Sequence, residues 1–286
     1  MVFHVEAEIR SQPECWRRVG EVGAGGLPEP GERVAVVGCG TSWFVGQAYA
    51  ALREAAGQGE TDAFAGSEFP VGRRYDRVVA LTRSGTTTEV LDVLARVEAP
   101  TVAVTADPET PIMGAADQVV VLDFADERSV VQTRFATTAL ALFRASLGED
   151  LTAAIADAEE ALAVEIPALD RTQFTFLGRG WTNGLAAEAA LKMREASLSW
   201  TEAYPAAEFR HGPIAITDER SAVWSLGPGP DGLREQVEAT GGRWVEHDRD
   251  PMADLVLVHR LAVALAEGRG LDPDAPRHLT RSVILR

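Results

Sequence analysis

Short, continuous apolar runs alternate with longer helical stretches through most of this 286-residue chain. Arg33-Val-Ala-Val-Val37, Arg77-Val-Val-Ala-Leu81, Pro100-Thr-Val-Ala-Val-Thr105 and Gln118-Val-Val-Val-Leu122 are such runs, and Thr61-Asp-Ala-Phe64 is a weaker one. A strand that is apolar at successive positions is buried on both faces, which only a sheet covered by helices on both sides provides. Alternation with helices of about 12 residues therefore predicts a parallel α/β sheet. In such sheets ligands sit at the carboxyl ends of the strands.

The pattern then repeats. Arg33–Val37 leads into Gly38-Cys-Gly-Thr-Ser42 and a helix from Trp43 to Ala56. Phe174-Thr-Phe-Leu177 leads into Gly178-Arg-Gly-Trp-Thr182 and a helix from Leu185 to about Leu198. The recurrence of strand, glycine turn and helix 140 residues later predicts two tandem lobes, each a parallel sheet flanked by helices in three αβα layers. The expected division is an N-terminal helix (5–22) and Gly/Pro linker within residues 1–30, a first lobe over 31–165, and a second lobe with its tail over 166–286. A helical stretch from Val130 to about Leu162, broken around Gly148-Glu-Asp150, joins the lobes. Ala222–Leu226 is a second-lobe strand, 252–267 a helix, and 272–286 a polar tail ending in Val283-Ile-Leu285.

Thr82-Arg-Ser-Gly-Thr-Thr-Thr88 follows the strand at 77–81 and opens onto a helix. Four hydroxyls in the six positions 82 to 87 surround Gly85. Helix N-terminal N–H groups, a glycine that lets the backbone approach and hydroxyl donors together suit a phosphate. A Ser/Thr-rich cap and turn is the plainer alternative. The corresponding second-lobe loop, Gly227-Pro-Gly-Pro-Asp-Gly232, has no hydroxyls, so a duplicated fold would keep one phosphate site, in the first lobe.

Composition narrows the partners. Twenty-seven basic against 43 acidic residues leave a net charge of −16, a field that repels nucleic acid and anionic lipid. An anionic substrate must then be held by local donors. No run approaches the ~20 apolar residues of a membrane span, and Met-Val-Phe-His-Val-Glu lacks a signal peptide's regions. Two distant cysteines, Cys15 and Cys39, make no disulfide framework, so a cytoplasmic location is expected. A GxGxxG dinucleotide fingerprint is missing, because Gly38-Cys-Gly-Thr-Ser-Trp lacks the third glycine. His4, His211, His247, His259 and His278 are scattered, so no metal site is expected.

In the second lobe Lys192 and Glu195 lie three apart on one helix face, a spacing that serves a surface ion pair or a site equally well. Glu208-Phe-Arg-His211-Gly-Pro213 follows, with the histidine held by the turn before Gly-Pro. A carboxylate, a histidine and a phosphate loop in one chain fit proton transfer on a phosphorylated metabolite.

Gly38-Cys-Gly-Thr-Ser42, Ser84-Gly-x-Thr87, Lys192-x-x-Glu195, Glu202-Ala-Tyr204, Glu208-x-x-His-Gly-Pro213 and Asp272-x-Asp-x-Pro-Arg-x-Leu-x-x-Ser282 together resemble the SIS (sugar isomerase) family. The resemblance runs from about residue 30 to the end, and is to the isomerase half of glucosamine-6-phosphate synthase and to SIS amino-sugar deaminases. It implies phosphate binding by Thr82, Ser84 and Thr87, with Thr41 and Ser42 nearby. It implies that Glu195 moves a proton between C1 and C2 of an open-chain sugar, and that Lys192 lies near the sugar's oxygens. Glu127 falls by the substrate amine. His211 assists ring opening and, in the synthase, comes from the neighbouring subunit, which implies a homodimer.

Three departures qualify it. The glutamine-cleaving domain of the synthase has no counterpart in the first 30 residues, and Cys15 sits in a helical pattern, so glutamine hydrolysis is not expected. The tail lysine of the synthase is Arg281, whose guanidinium does not form an imine; Arg281 then holds phosphate or hydroxyls, and His278 serves ring opening. The family's phosphate-loop glutamine is Arg83, an added cation for the anion. The expected activity is that of a cofactor-free phosphosugar isomerase, specifically an amino-sugar-6-phosphate deaminase/isomerase. The alternatives are a deglycase or other isomerase of a phosphosugar adduct, and a non-catalytic sugar-phosphate sensor.

Overall fold

A computed structural model describes residues 3–23 and 25–285. Residue 24 of the expected linker and both chain ends lie outside it. In chain order the helices are α1 (His4–Arg10), α2 (Gln12–Arg18), α3 (Thr41–Ala55), α4 (Thr88–Leu94) and α5 (Ile112–Ala115). They continue with α6 (Arg134–Ser146), α7 (Thr152–Ala163), α8 (Thr182–Ser197), α9 (Leu233–Ala239) and α10 (Pro251–Gly268). The strands are β1 (Val34–Gly38), β2 (Thr61–Ala65), β3 (Arg77–Leu81), β4 (Thr101–Thr105), β5 (Gln118–Val121), β6 (Gln173–Gly178), β7 (Trp200–Pro205), β8 (Ser221–Ser225) and β9 (Arg243–Glu246). No helix among the described residues is long and apolar enough to cross a membrane.

Two compact units result. One holds Glu14–Glu127, Arg134–Leu151 and the tail from Thr280. The other holds the described residues up to Pro13, with Arg128–Thr133 and Thr152–Leu279. Each is built on a parallel sheet flanked by helices, with strand order β2-β1-β3-β4-β5 in the first and β7-β6-β8-β9 in the second. In both, the first strand in sequence has the second on one side and the third on the other. The order reverses between β1 and β3, and again between β6 and β8, so the predicted duplication is a repeat of winding as well as of motif.

In the five-stranded unit β1 and β4 are buried at every residue, as their uninterrupted apolar runs require. Val90, Val93 and Leu94 of α4 cover Ala35, Val37, Val78 and Ala80 of β1 and β3. α3 packs against α6, where Tyr49 stacks on Phe143 at 4.1 Å between ring centroids. In the four-stranded unit Leu177 and Val223 of the central strands meet Leu233 and Val237 of α9. The buried Asp254 of α10 accepts from Trp224 Nε1 at 2.6 Å and lies 2.7 Å from His247 Nδ1, tying α10 to β8 and to the segment after β9.

The expected helix over 5–22 is two short helices: α1 ends at Arg10, and α2, which contains Pro13, restarts two residues on. The helical stretch from Val130 to Leu162 is α6 and α7, separated around the Gly148 break. β7, α9 and β9 had no sequence signal. β7 carries polar Thr201 and Glu202 and ends in proline, as an edge strand tolerates, and β9 is a four-residue edge.

The glycine ending each first strand is a packing requirement. A Cβ on Gly38 would lie 2.7 Å from the Ser42 carbonyl carbon, and one on Gly178 2.2 Å from the Thr182 carbonyl oxygen. In both units the first turn of the next helix presses on the strand end. Gly178→Ala is therefore expected to lose about 1–3 kcal/mol in urea unfolding, since the clash is with backbone. Gly114→Ala, in a helix with open space at the Cβ position, should be neutral or stabilising by about 0.5–1 kcal/mol. Equal effects at the two positions would contradict the packing account.

Candidate functional site

At the carboxyl end of β3, Thr82 to Thr87 link the strand to α4, and at the carboxyl end of β1 the Gly38–Gly40 turn starts α3 with the buried Thr41 and Ser42. These loops flank the reversal of strand order in the five-stranded sheet, where ligands of open α/β sheets bind. Gly85 is at φ +62°, and a Cβ there would fall 2.0 Å from Thr110 Oγ1, so the turn admits only glycine. Thr82 Oγ1 accepts from the Gly85 N–H at 3.2 Å, and Ser84 Oγ from the Thr86 N–H at 3.3 Å. Thr87 is the N-cap of α4, and its hydroxyl makes no capping bond. The hydroxyls thus hold the loop's own shape as well as facing its turn.

The C-terminal tail lies along this loop. Thr86 Oγ1 is 2.9 Å from Ser282 Oγ, the Thr88 N–H donates to the Val283 carbonyl at 3.3 Å, and the Leu285 N–H donates to Thr88 Oγ1 at 2.9 Å. Beside it the expected anion-binding arginines are already engaged. Arg83 is buried, 3.7 Å from Glu127 Oε2, and donates to the Arg281 carbonyl at 3.2 Å. Arg281 itself donates to the Glu127 carbonyl and pairs with Asp126 at 2.5 Å. Glu127 accepts the N–H groups of Arg134 at 2.7 Å and Phe135 at 3.3 Å, capping α6. The guanidinium of Arg83 is thus matched by a buried carboxylate, and that of Arg281 by an acidic side chain and a carbonyl.

In the four-stranded unit α8 starts directly from the Gly178 turn, which fixes which helix face meets the sheet. Lys192 is 1% exposed and lies between two carboxylates of its own helix: Glu195 Oε2 at 2.5 Å and Glu188 Oε1 at 3.5 Å. Glu188 is fully buried, whereas the Glu195 side chain keeps 19% exposure. Glu195 Oε1 carries no hydrogen bond among the described residues, so one oxygen is fixed on the ammonium and the other is open. Such a carboxylate suits proton transfer.

Glu188 is absent from the sequence-based expectation although its spacing, four before Lys192 and seven before Glu195, puts it on the same face. The buried His259 of α10 is a second omission; its signal is the His259-Arg260 pair interrupting the apolar runs Leu255-Val-Leu-Val258 and Leu261-Ala-Val263. Gln12 Nε2 lies 3.3 Å from His259 Nδ1. The exposed His211 and His278 belong to this unit too, and among the described residues no hydrogen bond or ion pair ties either side chain to Lys192 or Glu195.

Two outcomes test this cluster. Lys192→Met strands buried Glu188 without its cation and should cost about 3–5 kcal/mol in urea unfolding, part of which Glu188→Gln in the same chain restores. Burial, with the Lys192 charge second, pushes the His259 pKa from 6.5 down to about 3. The unfolded imidazole takes up a proton near pH 6.5 and the folded one only near 3, so the unfolded state binds more protons between them. The corresponding stability is full above pH 6.5 and declines as pH falls towards 3. In melts across that window His259→Gln should lose less stability on acidification than the parent, by about one proton of slope.

No family model matches the chain. It is 29% identical to glutamine–fructose-6-phosphate aminotransferase (isomerizing) of Xanthomonas campestris, over 88% of this chain and 52% of that protein. The chain spans about half the length of the curated relatives it matches. Among solved structures, glucosamine-6-phosphate deaminase of Thermotoga maritima superposes with a TM-score of 0.85 at 25% identity, covering 99% of this chain and all of the other. The C-terminal domain of glucosamine-fructose-6-phosphate aminotransferase from Francisella tularensis, at 22% identity, shares the fold with a TM-score of 0.74 over 96% of this chain and 99% of that one. With two parallel sheets wound alike, this chain has the tandem-lobed architecture of the SIS (sugar isomerase) proteins and is a homologue of the isomerase region of the aminotransferases.

Proposed function

We propose that the chain is a phosphosugar isomerase, and within that class an amino-sugar-6-phosphate deaminase/isomerase. The observation that carries this reading is Glu195: a partly exposed carboxylate with one oxygen fixed on a buried ammonium and the other open. The superposition on a glucosamine-6-phosphate deaminase over the full length of both chains supports the amino-sugar substrate.

In this reading the hydroxyls of Thr82, Ser84 and Thr87 hold the 6-phosphate, and His211 assists ring opening. Glu195 takes the proton from C2 of the open-chain aldehyde, giving an enolamine, and returns it to C1. The product is an imine at C2, which one water hydrolyses to ketose 6-phosphate and ammonia. Lys192 orients the carboxylate and faces the charge that develops on the sugar oxygens. A proton shuttle of this kind needs a placed base and nearby positive charge, which side chains supply without a cofactor. The relatives' dependence on glutamine is not carried over, because the match covers about half of their length. A homodimer in which His211 serves the neighbouring subunit's site completes the proposal.

The test is incubation of the purified protein with glucosamine 6-phosphate, with ammonia and ketose phosphate assayed separately. Turnover is expected to fall about 10²–10⁴-fold in Glu195→Gln, the usual contribution of a general base, with substrate binding by calorimetry little changed. Ser84→Ala with Thr87→Ala should weaken binding instead. No ammonia from the parent protein would refute the deaminase assignment, and stabilisation by the sugar phosphate without turnover would mark a sensor.

A further inference from the structure

A concave surface lies at the opposite end of β3 from the hydroxyl loop, wholly within the five-stranded unit. It is a cavity of about 830 Å³ at the amino ends of the sheet strands, bounded by the segment before β3 and the chain that leaves α4. That volume falls within the roughly 300–1,000 Å³ of small-molecule sites. Four arginines line it, Arg33, Arg73, Arg74 and Arg96, against two acids, Asp76 and Glu98, in a chain whose net charge is −16.

The four arginines are not equivalent. Arg33 pairs with Glu60 at 3.2 Å and lies 5.2 Å from the Tyr75 ring centroid. Arg73 reaches Asp62 at 3.3 Å and the Tyr75 hydroxyl at 3.3 Å, and lies 5.6 Å from the Phe64 centroid. Tyr75 in turn donates to Asp62 at 2.6 Å, and burial pushes its pKa up to about 12, so it keeps its proton. These two cations are locally compensated. The side chains of Arg74 and Arg96 make no hydrogen bond or ion pair among the described residues, and both are exposed at the rim. Asp76 is engaged by the Arg33 N–H at 2.8 Å. The rest of the lining is largely apolar: Val71 and Val97, with the edges of Phe69 and Tyr75, rings of the buried core that are 8% and 9% exposed.

We propose that this cavity is a second binding site, taking an organic phosphate whose body is an aromatic ring. Arg74 and Arg96 offer a dianion two uncommitted guanidiniums, each able to present paired N–H donors to phosphate oxygens. Val71, Val97 and the exposed edges of Phe69 and Tyr75 offer a flat ring apolar and edge-on contacts of the kind aromatic groups favour. The open-chain sugar phosphate of the proposed reaction has no such ring, and its phosphate is assigned to the loop at the other end of a five-residue strand, about 17 Å away at 3.3 Å per residue. The cavity ligand is therefore a different molecule, and both can bind at once.

The probe is adenosine 5′-monophosphate, with adenosine and inorganic phosphate as its separated halves, titrated by calorimetry into the full chain. The nucleotide should bind one per chain and at least tenfold tighter than either half. Arg74→Ala with Arg96→Ala should weaken it tenfold or more, and Ser84→Ala with Thr87→Ala should leave it within twofold. Both arginines are exposed, and a thermal melt confirms that the double variant is folded. Nucleotide binding that is absent in the parent, no tighter than that of inorganic phosphate, unchanged by loss of the two arginines, or lost with the hydroxyl loop would each overturn the proposal.

Discussion

Each sheet depends on a strand end that has no room for a side chain. At Gly38 and Gly178 the backbone of the first central strand runs so close to the start of the next helix that a Cβ would meet main-chain atoms at 2.2–2.7 Å. The contact sets where α3 and α8 begin and how they are rotated. In the first unit it places Thr41 and Ser42, buried, at the carboxyl end of β1. In the second it sets the phase of α8, and with it the face that carries Glu188, Lys192 and Glu195. A helix rotated by one residue, about 100°, would carry Lys192 out of its buried position, where its charge acts on His259 of α10. The placement of the candidate site residues in both units therefore rests on two glycines that are not among them.

Much of this was legible because parallel strands and amphipathic helices write themselves into consecutive residues. Val34–Gly38, Arg77–Leu81, Thr101–Thr105 and Gln173–Gly178 are mostly apolar at successive positions, and the two glycine turns repeat visibly. Edge strands leave a fainter trace. β7 and β9 are half-covered, so residues such as Glu202 and Arg243 stay polar and break the run on which strand recognition depends. Glu188 was legible by spacing, but a glutamate seven residues before Glu195 looks like any solvated helix position until burial is known.

The chemistry around the hydroxyl loop was less accessible, because it is made by residues distant in sequence. Arg83, Glu127 and Arg281 are separated by 44 and 154 positions, and nothing in the chain announces that they meet. Each charge alone reads as available to a ligand. Together they form a buried network in which Glu127 caps α6, matches Arg83 and offers its carbonyl to Arg281. The tail then lies against the loop through one backbone bond, Thr88 N–H to the Val283 carbonyl, and through the Thr86 and Thr88 hydroxyls, whose partners lie far away in the sequence.

That network changes the electrostatic account of the loop. A chain of net charge −16 opposes an approaching anion at long range, and a bare cation beside the loop would be the obvious remedy. Arg83 is not bare: Glu127, as buried as Arg83 itself, offsets it at 3.7 Å. For the phosphate of the proposed function, what would remain is short-range and neutral, chiefly hydroxyls, in a loop whose shape is kept by Gly85 and by the bonds that Thr82 and Ser84 accept from the Gly85 and Thr86 N–H groups. Neutral donors gain little at a distance, but they keep their orientation when an anion arrives, and in a water-poor loop that preorganisation makes each hydrogen bond count. On the proposed reading the loop would recognise an anion by shape and donor placement, and among the described residues Arg74 and Arg96, which carry no partner, lie at the other end of this unit's sheet.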